Sequence, residues 1–364
     1  MIAAVFPGQG AQYVGMGAGL AGRLPAARAI FDRARAVLGF DLLALCAGGP
    51  EEALRHTANT QPAILVSSLA CLATLPLAPA CAAGMSLGEY SALVCAEAIG
   101  FEDAVRLVRL RGTYMQEACA GCDTMMAAVI GLGGDQIREL CAEYRHLGVV
   151  EPSNFNSPGQ TVIGGETAAV RAALAAACAR GARRTIPLAV SAPFHTSLMQ
   201  PAADRLARDL EDLPIRRARI PVFANASAAP VCEPDEIRRA LLAQVASPVL
   251  WEQSVRAMHA AGVRLFVEVG PGATLSGMIR RTVPAETCQA DDIASRDAAV
   301  RILAEQHVDC DVVANRASGP TGKSKNCAHG VSQDCTPRTD RVGGRTGPGP
   351  RRSQNARRPD DATG

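Results

Sequence analysis

The chain has 364 residues, 48% of them hydrophobic, and 37 Lys/Arg against 35 Asp/Glu give a formal net charge of +2. That length can bury a full-sized core, or one large domain with a smaller one. The apolar stretches, such as Ala63 to Leu69, break well short of the roughly 20 residues a membrane span needs. The first residues, Met1 to Phe6, lack a basic region and run straight into Pro7-Gly8, so they read as a strand and not a signal peptide. A soluble cytoplasmic protein is expected. Of the 13 cysteines, Cys71, Cys95, Cys141 and Cys178 sit in apolar helical patterns, where a thiol behaves as a small hydrophobe. Cys119-Ala-Gly-Cys122 is the single C-x-x-C, with no second pair to complete a zinc site. No metal site and no disulfide framework are expected.

In chain order, Ala3 to Phe6 predicts a strand, Gln61 to Leu75 a buried helix and Phe101 to Ala118 an amphipathic helix. Strand and helix signals then read β-α-β-β-α-β: Met125 to Leu132, Gln136 to Tyr144, Val149 to Asn154, Gln160 to Gly164, Ala168 to Arg180 and Arg184 to Leu188. That order is the split βαβ pattern of ferredoxin-like domains. Leu265 to Val269 predicts a strand entering the turn Gly270-Pro271-Gly272. Alternation of strands and helices argues for an α/β fold. Residues 317–364 carry nine Lys/Arg against four Asp, leaving 28 and 31 in residues 1–316, and no aromatic residue follows Phe266. A tail so poor in apolar residues is expected to be disordered. Its arginines lack the aromatic interleaving of a nucleic-acid surface.

Gly84-Met-Ser-Leu-Gly88 matches G-x-S-x-G, the sharp strand-to-helix turn that lifts a serine hydroxyl out of a sheet. The following helix aims its N-terminal amides at a developing oxyanion. The bland reading is a glycine-rich turn. A serine nucleophile needs a base, and of the six histidines only His195, in Ser191-Ala-Pro-Phe-His195-Thr, sits in a Pro-bent loop opening a helix. It reads as a base held by a backbone carbonyl, or as a satisfied structural histidine. Arg111 falls within the apolar stripe of Ala104, Leu107, Val108, Tyr114, Met115 and Ala118, while Arg106, Arg109, Thr113, Gln116 and Glu117 take the polar side. A guanidinium there is costly unless it meets an anion, in an internal salt bridge or as a two-pronged seat for a substrate carboxylate. Gly8-Gln-Gly-Ala-Gln12 follows the first strand, but Tyr13 stands where a dinucleotide fingerprint needs its third glycine. That speaks against a Rossmann dehydrogenase, and the loop's amides can instead complete an oxyanion hole.

Together these segments resemble the malonyl-CoA:acyl-carrier-protein transacylase family of fatty-acid synthesis and the related acyltransferase domains of polyketide synthases. The matching stretches are Phe6-Pro-Gly-Gln-Gly-Ala-Gln12, Thr60-Gln-Pro62, Gly84-Met-Ser-Leu-Gly-Glu-Tyr-Ser-Ala-Leu93, Leu110-Arg-Gly112, Asn154-Phe-Asn-Ser-Pro-Gly-Gln160, Pro193-Phe-His195 and Glu268-Val-Gly-Pro-Gly272. The resemblance implies that Ser86 is acylated, His195 is its base, Arg111 binds the malonyl carboxylate, and the amides of Gln9 and Leu87 form the oxyanion hole. Gln9 and Phe194 are further implied to line the substrate site. Two residues depart from the common pattern: Met85 replaces His before the nucleophile, and Leu250 replaces Gln or Arg before Trp251. By resemblance the Leu250 carbonyl orients His195.

The expected architecture is an α/β-hydrolase-like domain (1–122 and 193–285), a ferredoxin-like insert (123–192), a C-terminal extension (286–316) and the basic tail. The expected reaction is ping-pong transfer of malonyl from malonyl-CoA to the phosphopantetheine thiol of an acyl carrier protein. It uses no cofactor beyond the coenzyme A thioester, no nucleic acid and no membrane, and is carried out by a monomer. A serine esterase or editing hydrolase would place no cation in its acyl pocket, and a carrier-docking scaffold would not need Ser86, His195 and Arg111 together.

Overall fold

The computed structural model describes the backbone of residues 1–317 and the side chains of residues 1–305. The basic segment, apart from its first residue Ala317, lies outside the described residues. Strand β1 (Ile2–Phe6) is followed by helices α1 (Ala18–Arg23), α2 (Pro25–Leu38), α3 (Leu42–Gly48), α4 (Glu51–Arg55) and α5 (Thr57–Leu72), then by β2 (Cys81–Gly84), α6 (Gly88–Cys95) and α7 (Phe101–Glu117). The middle of the chain gives β3 (Thr124–Ile130), α8 (Gly134–Tyr144), β4 (Val150–Ser157), β5 (Gln160–Glu166), α9 (Thr167–Ala179) and β6 (Arg184–Pro187). The chain continues with α10 (Gln200–Glu211), β7 (Val222–Phe223), β8 (Pro230–Val231), α11 (Pro234–Val245), α12 (Trp251–Ala260), β9 (Leu265–Val269), α13 (Thr274–Thr282), β10 (Glu286–Ala290) and α14 (Ile293–Ala317).

Six strands form one sheet in the order β10-β9-β1-β2-β7-β8, all parallel except the last pair. Its centre is buried on both faces, so β1, β2 and β9 are almost wholly buried and carry unbroken apolar or small residues. The second sheet, β4-β5-β3-β6, is antiparallel throughout, and its elements follow the expected β-α-β-β-α-β order. Its other face is covered by α8 and α9, whose Ile137, Leu140, Val170 and Ala173 join Val129 and Ile163 in a separate small core.

Two expectations need correcting. Residues 286–316 are not an appendage. β10 pairs in parallel with β9 from Glu286↔Leu265 to Ala290↔Val269, and Ala299 and Leu303 of α14 are buried in the main core. Thr287-Cys-Gln-Ala290 carries no strong strand signal; it is a strand because β9 would otherwise expose a row of unpaired main-chain groups. Cys178, expected inside an apolar pattern, is exposed on α9, whereas Cys71 and Cys141 are buried. No described helix is long and apolar enough to cross a membrane.

Helix packing brings two distant segments together. A Cβ on Gly112 of α7 would stand 2.6 Å from the Thr57 carbonyl oxygen at the start of α5, so only glycine lets the helices approach this closely. That approach sets Gln61 of α5 against Arg111 of α7.

Candidate active site

Ser86 sits between β2 and α6 with φ 53°, a left-handed conformation that costs a non-glycine residue about 1–3 kcal/mol and is held by its surroundings. The two glycines of the turn are steric requirements. A Cβ on Gly84 would lie 1.9 Å from the Gly88 carbonyl carbon, and one on Gly88 would lie 2.1 Å from the Phe6 carbonyl oxygen. Asn225, just after β7, clamps the turn from beyond: its Oδ1 accepts the Ser86 amide at 2.5 Å and its Nδ2 donates to the Gly84 carbonyl at 2.6 Å.

His195, 109 residues along the chain, places Nε2 2.7 Å from Ser86 Oγ. Its Nδ1 lies 2.8 Å from the backbone carbonyl of Gln244. A carbonyl only accepts, so Nδ1 carries the hydrogen and Nε2 is left as the acceptor for the serine proton. This corrects the assignment to Leu250. The Leu250 carbonyl is taken by the Ser254 amide and hydroxyl, both at 2.9 Å, in the first turn of α12. Gln244 instead lies in the last turn of α11, where carbonyls lack intrahelical partners and the helix dipole favours a developing imidazolium. Burial, then the Arg111 charge, push the imidazole down to about 3, against the pull of the Gln244 carbonyl. His195 is therefore neutral at physiological pH. Because its folded pKa lies below the unfolded value, its contribution to stability is lost as pH falls from about 6.5 towards 3.

Arg111 is 1% exposed and lies on the buried stripe of α7. Nη1 donates to Gln61 Oε1 at 2.8 Å, and Nη2 to Gln244 Oε1 at 2.9 Å and to Ser86 Oγ at 3.0 Å. Its Nε has no hydrogen-bond partner among the described residues, and no described carboxylate forms a salt bridge with it. The internal ion pair that could have explained a buried arginine is absent there. The guanidinium is gripped by two neutral amide oxygens and lies over the Tyr90 ring at 5.5 Å, so its charge stays available. The Nε hydrogen and the Nη2 hydrogen on Ser86 are two donors a carboxylate can take.

These groups open into a cavity of about 240 Å³ lined from the large sheet by Gln9, Met85, Ser86 and Met278 and from the small one by Met126, Asn154, Asn156 and Val162. The Gln9 and Leu87 amides are not among the donors of the turn and loop backbone hydrogen bonds; Gln9 lines the cavity, and Leu87, fully buried, follows Ser86 in the turn. Phe194 lines the same cavity, and its carbonyl accepts the Ser153 hydroxyl at 2.8 Å. Glu268, fully buried, accepts the Leu275 and Ser276 amides at 3.0 and 2.7 Å and so seats α13 along one wall. Cys119 and Cys122 close the turn after α7, with the Cys122 amide donating to the Cys119 carbonyl at 3.0 Å. No group of three or more described His, Cys, Asp or Glu side chains could hold a metal ion.

Of the residues singled out in the sequence, Ser86, His195, Arg111, Gln9 and Phe194 line one cavity and Leu87 does not; Gln244 and Asn225 were missed and Leu250 was misplaced. Gln244 had a legible signal. On α11 it shares a buried stripe with Ile237, Leu241 and Val245, the same kind of misplaced polar residue that marked Arg111. Asn225 had only its place beyond the carboxyl end of a parallel-sheet strand, where sites form in open α/β sheets.

The profile of a family described as "Acyl transferase domain" matches residues 4–309. The chain belongs to the acyl transferase family. Among its relatives in that family, the malonyl CoA-acyl carrier protein transacylase of Escherichia coli K12 is 48% identical over 290 residues, 79% of this chain and 94% of the relative. The enzyme of the same name from Bacillus subtilis is 40% identical over 311 residues, 84% and 98% of the two chains. Acyl transferase structures agree. An acyl carrier protein S-malonyltransferase from Vibrio cholerae superposes with a TM-score of 0.80 at 45% identity, covering 82% of this chain and 99% of that one. A malonyl-transacylase in complex with a type II PKS acyl-carrier protein matches at the same TM-score of 0.80, with 44% identity and coverage of 82% and 99%.

Proposed function

We propose that this chain transfers a malonyl group from malonyl-CoA to the phosphopantetheine thiol of an acyl carrier protein through a malonyl ester of Ser86. The observation that carries the reading is Arg111: a buried guanidinium with no carboxylate partner among the described residues, 3.0 Å from the nucleophile's oxygen. A neutral-acyl hydrolase has no use for such a group. The malonyl-transacylase relatives, and the one in complex with its carrier, support the donor and the acceptor.

Ser86 Oγ attacks the thioester carbonyl as its proton passes to His195 Nε2, and the Gln9 and Leu87 amides receive the oxyanion. Collapse breaks the C–S bond, and His195 returns the proton to the leaving thiolate of coenzyme A. In the second half the carrier's thiol gives its proton to His195 and attacks the ester, and Ser86 recovers the proton as the malonyl thioester leaves. No cofactor enters either half. We read the parallel sheet as α/β-hydrolase-like and the β-α-β-β-α-β unit, with its antiparallel order, as a ferredoxin-like insert. The enzyme acts in this reading as a cytoplasmic monomer.

Intact-mass analysis after incubation with malonyl-CoA tests the proposal. The expected result is one malonyl adduct on Ser86, absent from Ser86→Ala; an adduct that survives that substitution would overturn the assignment.

The depressed imidazole gives a pH prediction. Because kcat/KM reports ionisations of the free enzyme, acylation by malonyl-CoA should stay nearly level from pH 7 to pH 5. An ordinary histidine near 6.5 would keep only about 3% of its base form at pH 5. A stopped-flow profile falling with a midpoint near 6.5 would contradict the buried, neutral His195.

Phe194 borders the cavity beside the base, and in this reading it narrows the space at the substrate's α-carbon. One ill-fitting methyl in a pocket costs about 1–3 kcal/mol. Malonyl should therefore be preferred over methylmalonyl by roughly 10- to 200-fold, and Phe194→Ala should narrow that gap. Equal rates with the native enzyme would remove Phe194 from the specificity determinants.

A further inference from the structure

Another buried charge lies behind the site, and neither step of the reaction uses it. Glu89, in the first turn of α6, is 1% exposed. First-turn carboxylates ordinarily sit at the surface, where they complement the helix dipole at no burial cost. Glu89 Oε2 instead accepts the Gln244 side-chain amide at 2.7 Å and the Asn225 backbone amide at 2.9 Å. No salt bridge joins it to Arg111; a single amide stands between the two charges. Gln244 Nε2 donates to Glu89 and to the Ser86 carbonyl at 3.0 Å, while Gln244 Oε1 accepts Arg111 Nη2 at 2.9 Å.

We propose that Glu89 is the positioning residue of the carboxylate seat, holding Arg111 in place through the side-chain amide of Gln244. A primary amide has one donor end and one acceptor end. A carboxylate only accepts, so Glu89 draws the NH₂ end towards itself and turns the oxygen to Arg111. Were the amide reversed, its NH₂ would face the guanidinium donors and the seat would lose a partner. The separation also has a purpose. A carboxylate in direct contact with Arg111 would occupy the donors that a malonyl group needs. One amide away, Glu89 orients the bridging amide and leaves those donors free. Burial pushes its carboxyl up to about 7, against the Asn225 and Gln244 hydrogen bonds and the Arg111 charge, so at pH 8 it is an anion.

Two arms leave Glu89, and they differ in what they serve. The Asn225 arm supports the turn that carries Ser86, which every thioester uses. The Gln244 side-chain arm also meets the Ser86 carbonyl, but it alone supports Arg111, the group a carboxylate-bearing acyl chain needs. The inference rests on the malonyl-transfer reading, and the ratio of malonyl to acetyl transfer isolates its second arm.

The test measures kcat/KM for malonyl-CoA and acetyl-CoA at pH 8 in the wild type, in Glu89→Ala, Glu89→Asp and Glu89→Gln, and in each combined with Gln244→Met. Glu89→Ala should lower the malonyl-to-acetyl ratio about 10-fold, the scale of one lost buried hydrogen bond. Glu89→Asp, which withdraws the carboxylate by one methylene, should lower it several-fold and serves if the alanine variant does not fold. Glu89→Gln should keep the wild-type ratio, because one amide oxygen can accept both bonds. In the Gln244→Met background the ratio should already be low, and changes at Glu89 should leave it there. A ratio unmoved in both the alanine and aspartate variants, or one that falls further on Gln244→Met, would overturn the inference while leaving malonyl transfer standing. A wild type that takes up no malonyl would end both.

Discussion

Replacing His195 with alanine should slow malonylation of Ser86 by roughly 10²- to 10⁴-fold, the usual loss when a positioned general base is removed. The serine would keep its 3.0 Å contact with Arg111, but its proton would have no acceptor among the neighbours now in contact with it. The loss should fall equally on malonyl-CoA and acetyl-CoA, because His195 acts on the nucleophile and not on the acyl group's far end. Folding should survive, since the substitution also removes the burden of burying an imidazole. Single-turnover acylation measured beside the melting temperature decides the matter. A variant that acylates within a few-fold of the wild type would show that Ser86 is activated by something else.

Arg111→Ala should separate the two thioesters that His195→Ala treats alike. Stranding a buried carboxylate without its partner costs about 2–5 kcal/mol, roughly 30- to 4,000-fold at about 1.4 kcal/mol per decade. That loss should fall on malonyl-CoA, while acetyl transfer holds or improves. The improvement has a physical source: the Arg111 charge is among the causes that depress His195, so removing it leaves a stronger base. Arg111→Lys should recover only part of the malonyl rate, because an ammonium lacks the planar two-pronged edge. Equal losses on both thioesters, with a lowered melting point, would make Arg111 a structural residue and end the carboxylate-seat reading.

Much of this site is legible in the sequence because its chemistry violates local rules. A serine between two glycines, an arginine on an apolar stripe and a histidine after a bent Pro-Phe each break a pattern that packing alone would keep. Phe101–Glu117 and the β-α-β-β-α-β unit are similarly legible, since periodicity is set by burial on one face. What stayed hidden depends on partners far along the chain. The carbonyl that holds His195 belongs to Gln244 and not Leu250 because α11 ends where it does and α12 claims the Leu250 carbonyl for its own first turn. A main-chain atom carries no residue-type signature, so only the fold assigns it. β10 went unrecognised for a related reason: the unpaired edge of β9 makes Glu286–Ala290 a strand, and the polar composition of that segment does not announce it.

The base and the nucleophile reach the cavity from different sheets. His195 lies downstream of β6, on a segment tied to the small sheet through the Leu188 amide on the Met126 carbonyl and the Ser153 hydroxyl on the Phe194 carbonyl. Beneath it, the space above Gly164 is already filled by Met126 and Thr196, within 3.1 and 3.4 Å of where a Cβ would stand. A proton transfer over 2.7 Å therefore reads out the seating of a whole subdomain. Genetic variation in the insert, well away from any reacting atom, will be filtered as stringently as variation in the turn around Ser86. A screen for inactive but folded proteins should return a second constellation of hits along β3 and β5, beyond Met126 and Val162, which line the cavity themselves.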